Sequence, residues 1–325
     1  MKKAIALLGL FQIAAIGHAE IAMSVRINSG HNVLTYGDPV IAEIALQNNG
    51  TSPTERPLLL WGLVGSSPKI SWSNPEGQIW EFRSSQLVSL GVRQWPMLGP
   101  GEVYRDTFDI SVAFTEDFRK AMAGYPQPKP QDRDFWGFPA PGVYTIEASC
   151  RYPSGEIVKA TSVTISVADA SEEYKQLVDK YRTKAVAMIV LGSNTGDCFY
   201  EEGVENLLRQ LVQDDKMSRW HPAALHYLAT ALLARAQRRQ TDIALRPEVE
   251  SLRREALTYL MELIQNHPEY PAIERVLIRA GDLASDPMDE AKLAARATIV
   301  AEARKRVDDK THSPLADWLR SMPRE

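Results

Sequence analysis

The 325-residue sequence is poor in cysteine, having Cys150 and Cys198 alone. Thiols so few and so spaced build neither a zinc site nor a cysteine-rich scaffold, so an apolar core has to hold the chain. Also missing is any uninterrupted apolar stretch of the roughly 18 residues that a membrane-crossing helix needs. The excess of basic residues that marks a binder of polyanions is absent too: 37 Lys and Arg stand against 41 Asp and Glu, for a net charge of −4. Nucleic acid is therefore not an expected partner. There is no Gly-x-Ser-x-Gly nucleophile turn, no phosphate-binding glycine loop and no His-Glu-x-x-His zinc motif. No catalytic, cofactor-binding or metal-ligating residue is nominated. His221 and His226 do not share a helical face, and His221 reads as a cap for the helix that Pro222 begins. Asn194, Thr195, Gly196 and Asp197, with Glu201 and Glu202 beyond, lack the ligand order of a calcium loop. They read as a polar turn feeding a helix N-terminus.

What the sequence does contain begins with Lys2 and Lys3, an apolar run from Ala4 to Ile16, and then Gly17, His18 and Ala19. Small residues at the positions a signal peptidase reads make 1–19 a signal peptide, cleaved before Glu20. No cysteine follows that site to carry a lipid. The expectation is a periplasmic or secreted protein with no membrane insertion after cleavage. Such a compartment permits a Cys150–Cys198 disulfide; the alternative is that Cys150 is a small buried strand residue and Cys198 a loop thiol. With 44% apolar and 24% charged residues the chain is globular, and its length suits about two domains.

From Glu20 to Val167 the apolar residues recur with period two, which puts alternate side chains on opposite faces of a strand. Ile21, Met23, Val25 and Ile27 share one face; Val40, Ala42, Ile44 and Leu46 share another. Turn clusters punctuate the runs, among them Tyr36-Gly37-Asp38-Pro39, Asn48-Asn49-Gly50 and Gly99-Pro100-Gly101. Asn74-Pro75-Glu76-Gly77 suits a type I turn with a left-handed Gly, hence a three-residue hairpin loop. That loop predicts Trp72 opposite Trp80 and Ile70 opposite Phe82, all four on one face. They read either as a core cluster or as an exposed platform for sugars or peptides. After Phe114 the pattern breaks: Thr115 is placed to cap a short helix from Glu116 to Ala123. The Pro-rich stretch that follows reads as an extended excursion carrying Phe135, Trp136 and Phe138.

The segments GDPVIAEIALQNNG, LGPGE and PAPGVYTIEA together resemble the bacterial immunoglobulin-like sandwiches related to intracellular proteinase-inhibitor-type domains. The resemblance covers most of residues 20–167 and implies that fold. Inhibitor activity is not implied, because no reactive-loop residues match position by position.

After Val167 the period changes to about 3.6, the repeat of an α-helix. Asp169 and Glu172 have capping-box spacing, and Tyr174, Leu177, Val178, Tyr181, Ala185 and Met188 form one apolar stripe. Val204, Leu207, Leu208, Leu211 and Val212 form the next. Pro222, Pro247, Pro271, Pro287 and Pro314 each suit the first turn of a later helix, with Ser285 or Asp286 and Ser313 as caps. The stretch EALTYLMELIQNHPEYPAIERVLIRAGDLA resembles the join between tetratricopeptide-like repeats, with Ala256, Leu260, Leu263 and Pro268 at the matching positions. The expected fold is all-β plus all-α, in two domains. An antiparallel immunoglobulin-like β-sandwich spans 20–168, and an antiparallel α-helical array spans 169–325.

Function is expected to lie on surfaces. A non-enzymatic module that binds another protein of the cell envelope is the leading expectation, with Phe135, Trp136 and Phe138 and the basic cluster Arg235, Arg238 and Arg239 as candidate binding surfaces. A glycan or cell-wall binder is the alternative, because Trp61, Trp72, Trp80, Trp95 and Trp136 all fall in the strand-rich half. A protease inhibitor or an uncharacterised hydrolase is the third.

Overall fold

The computed structural model describes residues 21–28, 33–55, 69–82, 97–112, 114–115, 136–151, 156–195, 201–285, 289–308 and 310–322. Sheets occupy the N-terminal part and helices the C-terminal part, as the change of period near Ala170 predicts. The leader, the helix expected at 116–123, Trp61, Trp95, Phe135 and Cys198 all lie outside the described residues.

In the first sheet, β1 (Ile21–Ile27) and β8 (Val103–Asp109) flank β3 (Ile41–Asn48), all antiparallel. The alternation in β1 is strict. Ile21, Met23, Val25 and Ile27 are buried while Ala22, Ser24 and Arg26 face water. The second sheet runs β2 (Val33–Thr35), β12 (Val163–Ala168), β10 (Gly142–Arg151), β5 (Lys69–Ser73), β6 (Ile79–Phe82) and β9 (Phe114–Thr115), with β11 (Ile157–Lys159) added on β10. A small pair joins β4 (Thr54–Glu55) to β7 (Met97–Leu98). The rings of Phe82 and Phe108, one from each large sheet, lie 6.3 Å apart.

The β5–β6 hairpin has the predicted register, with Ile70 opposite Phe82 and Trp72 opposite Trp80. Gly77 N donates to Asn74 O at 3.0 Å, Gln78 N donates to Asn74 Oδ1 at 2.8 Å, and Gly77 takes φ +80°. The left-handed Gly lets the chain turn with its strands correctly twisted. All four side chains are buried, which settles the hairpin as core rather than as an exposed platform.

The helices are α1 (Glu172–Tyr181), α2 (Lys184–Thr195), α3 (Val204–Gln213), α4 (His221–Arg239), α5 (Arg246–Asn266), α6 (Ile273–Leu283), α7 (Glu290–Arg306) and α8 (Pro314–Ser321). The expected capping box is displaced: Ser171 caps α1 through its hydroxyl, while Asp169 pairs with Lys175 at 2.8 Å. The stripe from Tyr174 to Met188 belongs to two helices, not one. Arg182 leaves helical geometry with ψ 56°, and the Thr183 hydroxyl accepts from Val186 N at 3.3 Å, beginning α2. Pro222, Pro247 and Pro314 do sit in first turns. Pro271 precedes α6, and Pro287 and Asp286 lie outside the described residues. Ser313 caps α8, but Asp289 rather than Ser285 caps α7. His221 is the first residue of α4 and not its cap.

Helix α4 is buried nearly all round, from Ala223 to Ala236, so it is the central helix of its half. The apolar core is continuous from the sheets into the helices. The chain also returns to sheet at its end: β13 (Thr311–His312) pairs parallel with Val103 and Tyr104 of β8. Beyond it Trp318 covers Gly281, where a Cβ would collide with the indole.

Candidate functional site

Polar side chains gather where sheets meet helices, at two ends of one junction. At the first, Asp109 on the last position of β8 is wholly buried. Its Oδ1 accepts from Ser111 N at 3.0 Å, and its Oδ2 accepts from the Tyr227 hydroxyl on α4. Desolvation raises the Asp109 pKa above the usual carboxylate value, and it raises those of Tyr227 and Tyr270 as well. Beside Tyr227, His226 is 2% exposed, with Nδ1 3.4 Å from the Tyr270 hydroxyl and no partner for Nε2. Burial, and the charges of Arg279 and Arg275, bring its pKa down to about 3. The ring stays neutral. Arg279 donates to the Thr230 hydroxyl at 2.7 Å, and Arg275 reaches β8, donating to Thr107 O at 2.5 Å and pairing with Asp106 at 2.8 Å.

At the second end the β2–β3 turn meets α1 and the 3-10 turn Asp215–Trp220. Gly37 at φ +92° lets the turn lie on Val178, whose methyl would stand 2.5 Å from a Cβ. Arg182, 8% exposed, lies with its guanidinium 5.0 Å from the Tyr36 ring and 5.3 Å from the Trp136 ring. It donates to Phe138 O at 3.1 Å, its Nε has no partner, and it forms no ion pair among the described residues. The carboxylates nearby are occupied. Asp38 Oδ2 accepts from Thr35 N at 2.8 Å and pairs with Arg219 at 3.5 Å, and Asp179 accepts from the Tyr36 hydroxyl at 3.2 Å. The rings of Trp136 and Trp220 lie 6.1 Å apart, and neither indole N–H is satisfied. The Tyr174 hydroxyl interacts with Trp220 without a well-directed hydrogen bond, and burial pushes its pKa up to about 12.

The residues nominated from sequence fare differently. Trp136 and Phe138 are each 2% exposed, because Phe138 stacks on Trp72 at 4.9 Å and Trp136 is inserted against Trp220. Neither ring faces a partner; burial in the core removes both from the proposed surface. Trp72 and Trp80 are buried likewise, so the described sheet tryptophans offer no platform for a sugar ring. Arg235 bridges Glu205 at 2.9 Å and Glu248 at 2.7 Å, and Arg239 also holds Glu248. Arg238 shares their last turn. Arg235 and Arg239 stitch α4 to α3 and α5. Cys150 is a buried free thiol with its pKa pushed up to about 12 by desolvation. Among the described residues no group of His, Cys, Asp and Glu side chains could hold a metal ion, and no helix is long and apolar enough to cross a membrane.

Sequence reasoning missed Arg182 and Asp109, and it weighed His226 only as half of a metal pair with His221. Arg182 carried a readable signal in the Thr183 that follows it, an N-cap residue interrupting an apolar stripe. Asp109 and His226 carried none, since their partners are remote in the chain.

No family model matches the chain, and no curated protein matches it. Among solved structures, the putative ApaA protein from Bordetella pertussis is similar at 15% identity, over 46% of this chain and 94% of that one, with a TM-score of 0.24. A second structural-genomics target is similar at 13% identity over 46% of this chain and 85% of that one, with a TM-score of 0.19. Likeness at that level carries neither fold nor function to this chain.

Proposed function

We propose that the protein is a non-enzymatic binding module, exported by the leader at 1–19 to the periplasm or beyond, that presents a surface to another protein of the cell envelope. The observation that carries this reading is the use made of its buried acid–base groups. Asp109, Tyr227, Arg275 and Asp106 are spent on joining β8 to α4 and α6, and such a joint fixes the outer surfaces relative to each other. A rigid platform lowers the ordering cost of binding. The sheets supply apolar side chains on that exterior, with Val33, Val143 and Ile79 among them.

The same reading takes the two large sheets as an immunoglobulin-like sandwich and the α5–α6 join as tetratricopeptide-like. In support, the Tyr144 hydroxyl donates to Ala140 O at 2.8 Å, the kind of tyrosine corner found in such sandwiches. The test is affinity capture from a periplasmic extract by the tagged chain, beside a control in which Val33, Ile79 and Val143 are changed to Lys. One protein enriched by the first and not by the second supports the reading; equal recovery by both overturns it.

A further inference from the structure

We propose that the end of the junction built around Arg182 is a binding site for a small monovalent carboxylate. A guanidinium keeps its proton at any ordinary pH, so burial cannot be relieved by neutralisation. Arg182 is buried, no carboxylate lies within ion-pair distance of it among the described residues, Asp179 and Asp38 act on it only from farther off, and its Nε has no acceptor. Leaving a cation in that state costs several kcal/mol unless an anion joins it.

The neighbouring polar atoms are mostly donors. Trp136 Nε1 is unsatisfied beside Arg182 Nε, and Trp220 Nε1 and the Tyr174 hydroxyl have only each other, against a single unsatisfied acceptor, Asp38 Oδ1. Under-satisfied polar atoms gathered at one end of the junction point to a missing guest, because buried polar groups are paired in nearly all native proteins. Water would satisfy such donors but would bring no negative charge into contact with the guanidinium. A carboxylate does both. Its two oxygens match the forked edge of the guanidinium, which the Tyr36 and Trp136 rings hold in place. Asp38, close by, selects against a second negative charge, so a monovalent ligand is favoured over phosphate or sulfate.

The test is thermal unfolding of the full chain in rising sodium formate, with sodium chloride matching ionic strength throughout. Formate is expected to raise the wild-type midpoint by several degrees along a saturating, single-site curve, and to change tryptophan emission in step. Trp136→Phe and Trp220→Phe each remove a donor and keep a ring; each is expected to weaken the formate-specific rise severalfold. Arg182→Met is expected to abolish it. A wild-type midpoint that formate moves no more than chloride overturns the site. So does a formate-specific rise of unchanged size and affinity in the indole variants, which tests the site independently of Arg182→Met.

Discussion

The two ends of the junction bury charge-bearing groups to the same degree and resolve the cost differently. Around Asp109 and His226, each group can escape by moving a proton: the carboxyl is pushed toward its neutral acid and the imidazole toward its neutral base. Of the two cations that remain there, Arg275 has Asp106 at 2.8 Å and Arg279 donates to the Thr230 hydroxyl at 2.7 Å. Around Arg182 neither remedy is at hand in full, since guanidinium holds its proton and Asp179 and Asp38 act on it only from beyond ion-pair distance. The difference teaches that burial alone does not mark a functional position. What marks it is burial of a group that can neither change its protonation nor bring an opposite charge into contact within the fold.

The largest expected effect lies at the proton-movable end and depends on pH. The folded pKa of His226, about 3, is depressed from 6.5, so its contribution is fully present above pH 6.5 and is lost as pH falls from there toward 3. Over the whole window the loss approaches ~5 kcal/mol, at about 1.4 kcal/mol per pH unit. Asp109 runs the other way: its raised pKa favours the fold at low pH and that contribution fades as pH rises past 3.8. Urea midpoints measured from pH 7 to pH 4 are expected to fall more steeply for the wild type than for His226→Gln. Parallel curves would show that the ring does not titrate with unfolding.

Next in size is Arg275→Met. It takes the guanidinium from Asp106, whose side chain is 5% exposed, and opens the bond to Thr107 O. Removing one partner of a buried ion pair is expected to cost about 3–5 kcal/mol, read as a lower urea midpoint at pH 7. A loss below about 1 kcal/mol would mean that solvent reaches the pair and that the two ends differ less than their geometry indicates.

A smaller effect is expected far from both ends. Gly77 sits at φ +80° in open space, where an added Cβ would meet nothing within 4 Å, so Gly77→Ala tests backbone strain alone. A side chain in the left-handed region costs about 1 kcal/mol, and acid sensitivity should not change. This turn was legible in the sequence because local chemistry dictates it: Pro75 sets φ, Gly77 accepts the left-handed position, and period two carries the register outward to Ile70 and Phe82. The helix start at Thr183 was half-legible, hidden because the apolar stripe continues through it from Tyr181 to Ala185. Asp109 with Tyr227 and Arg275 with Asp106 were illegible, since each pair is separated by more than a hundred residues and local pattern says nothing of it. Trp136 and Phe138 were misplaced for the same reason. A Pro-rich neighbourhood suggests surface, and only the partners Trp220 and Trp72 reveal that the chain dips into the core.

The smallest expected effect separates the two ends most sharply. Arg182→Met resembles Arg275→Met in chemistry and burial, yet without added anion it is expected to change stability by no more than about 1 kcal/mol. Replacing Arg182 forfeits the contacts with the Tyr36 and Trp136 rings and the bond to Phe138 O, but it also removes a buried charge that has no carboxylate at ion-pair distance among the described residues. These contributions oppose each other, whereas at Arg275 they add. Urea unfolding of both variants in chloride is the measurement. A loss at Arg182 equal to that at Arg275 would mean that its ring and backbone contacts already compensate the cation, leaving no need for an anion.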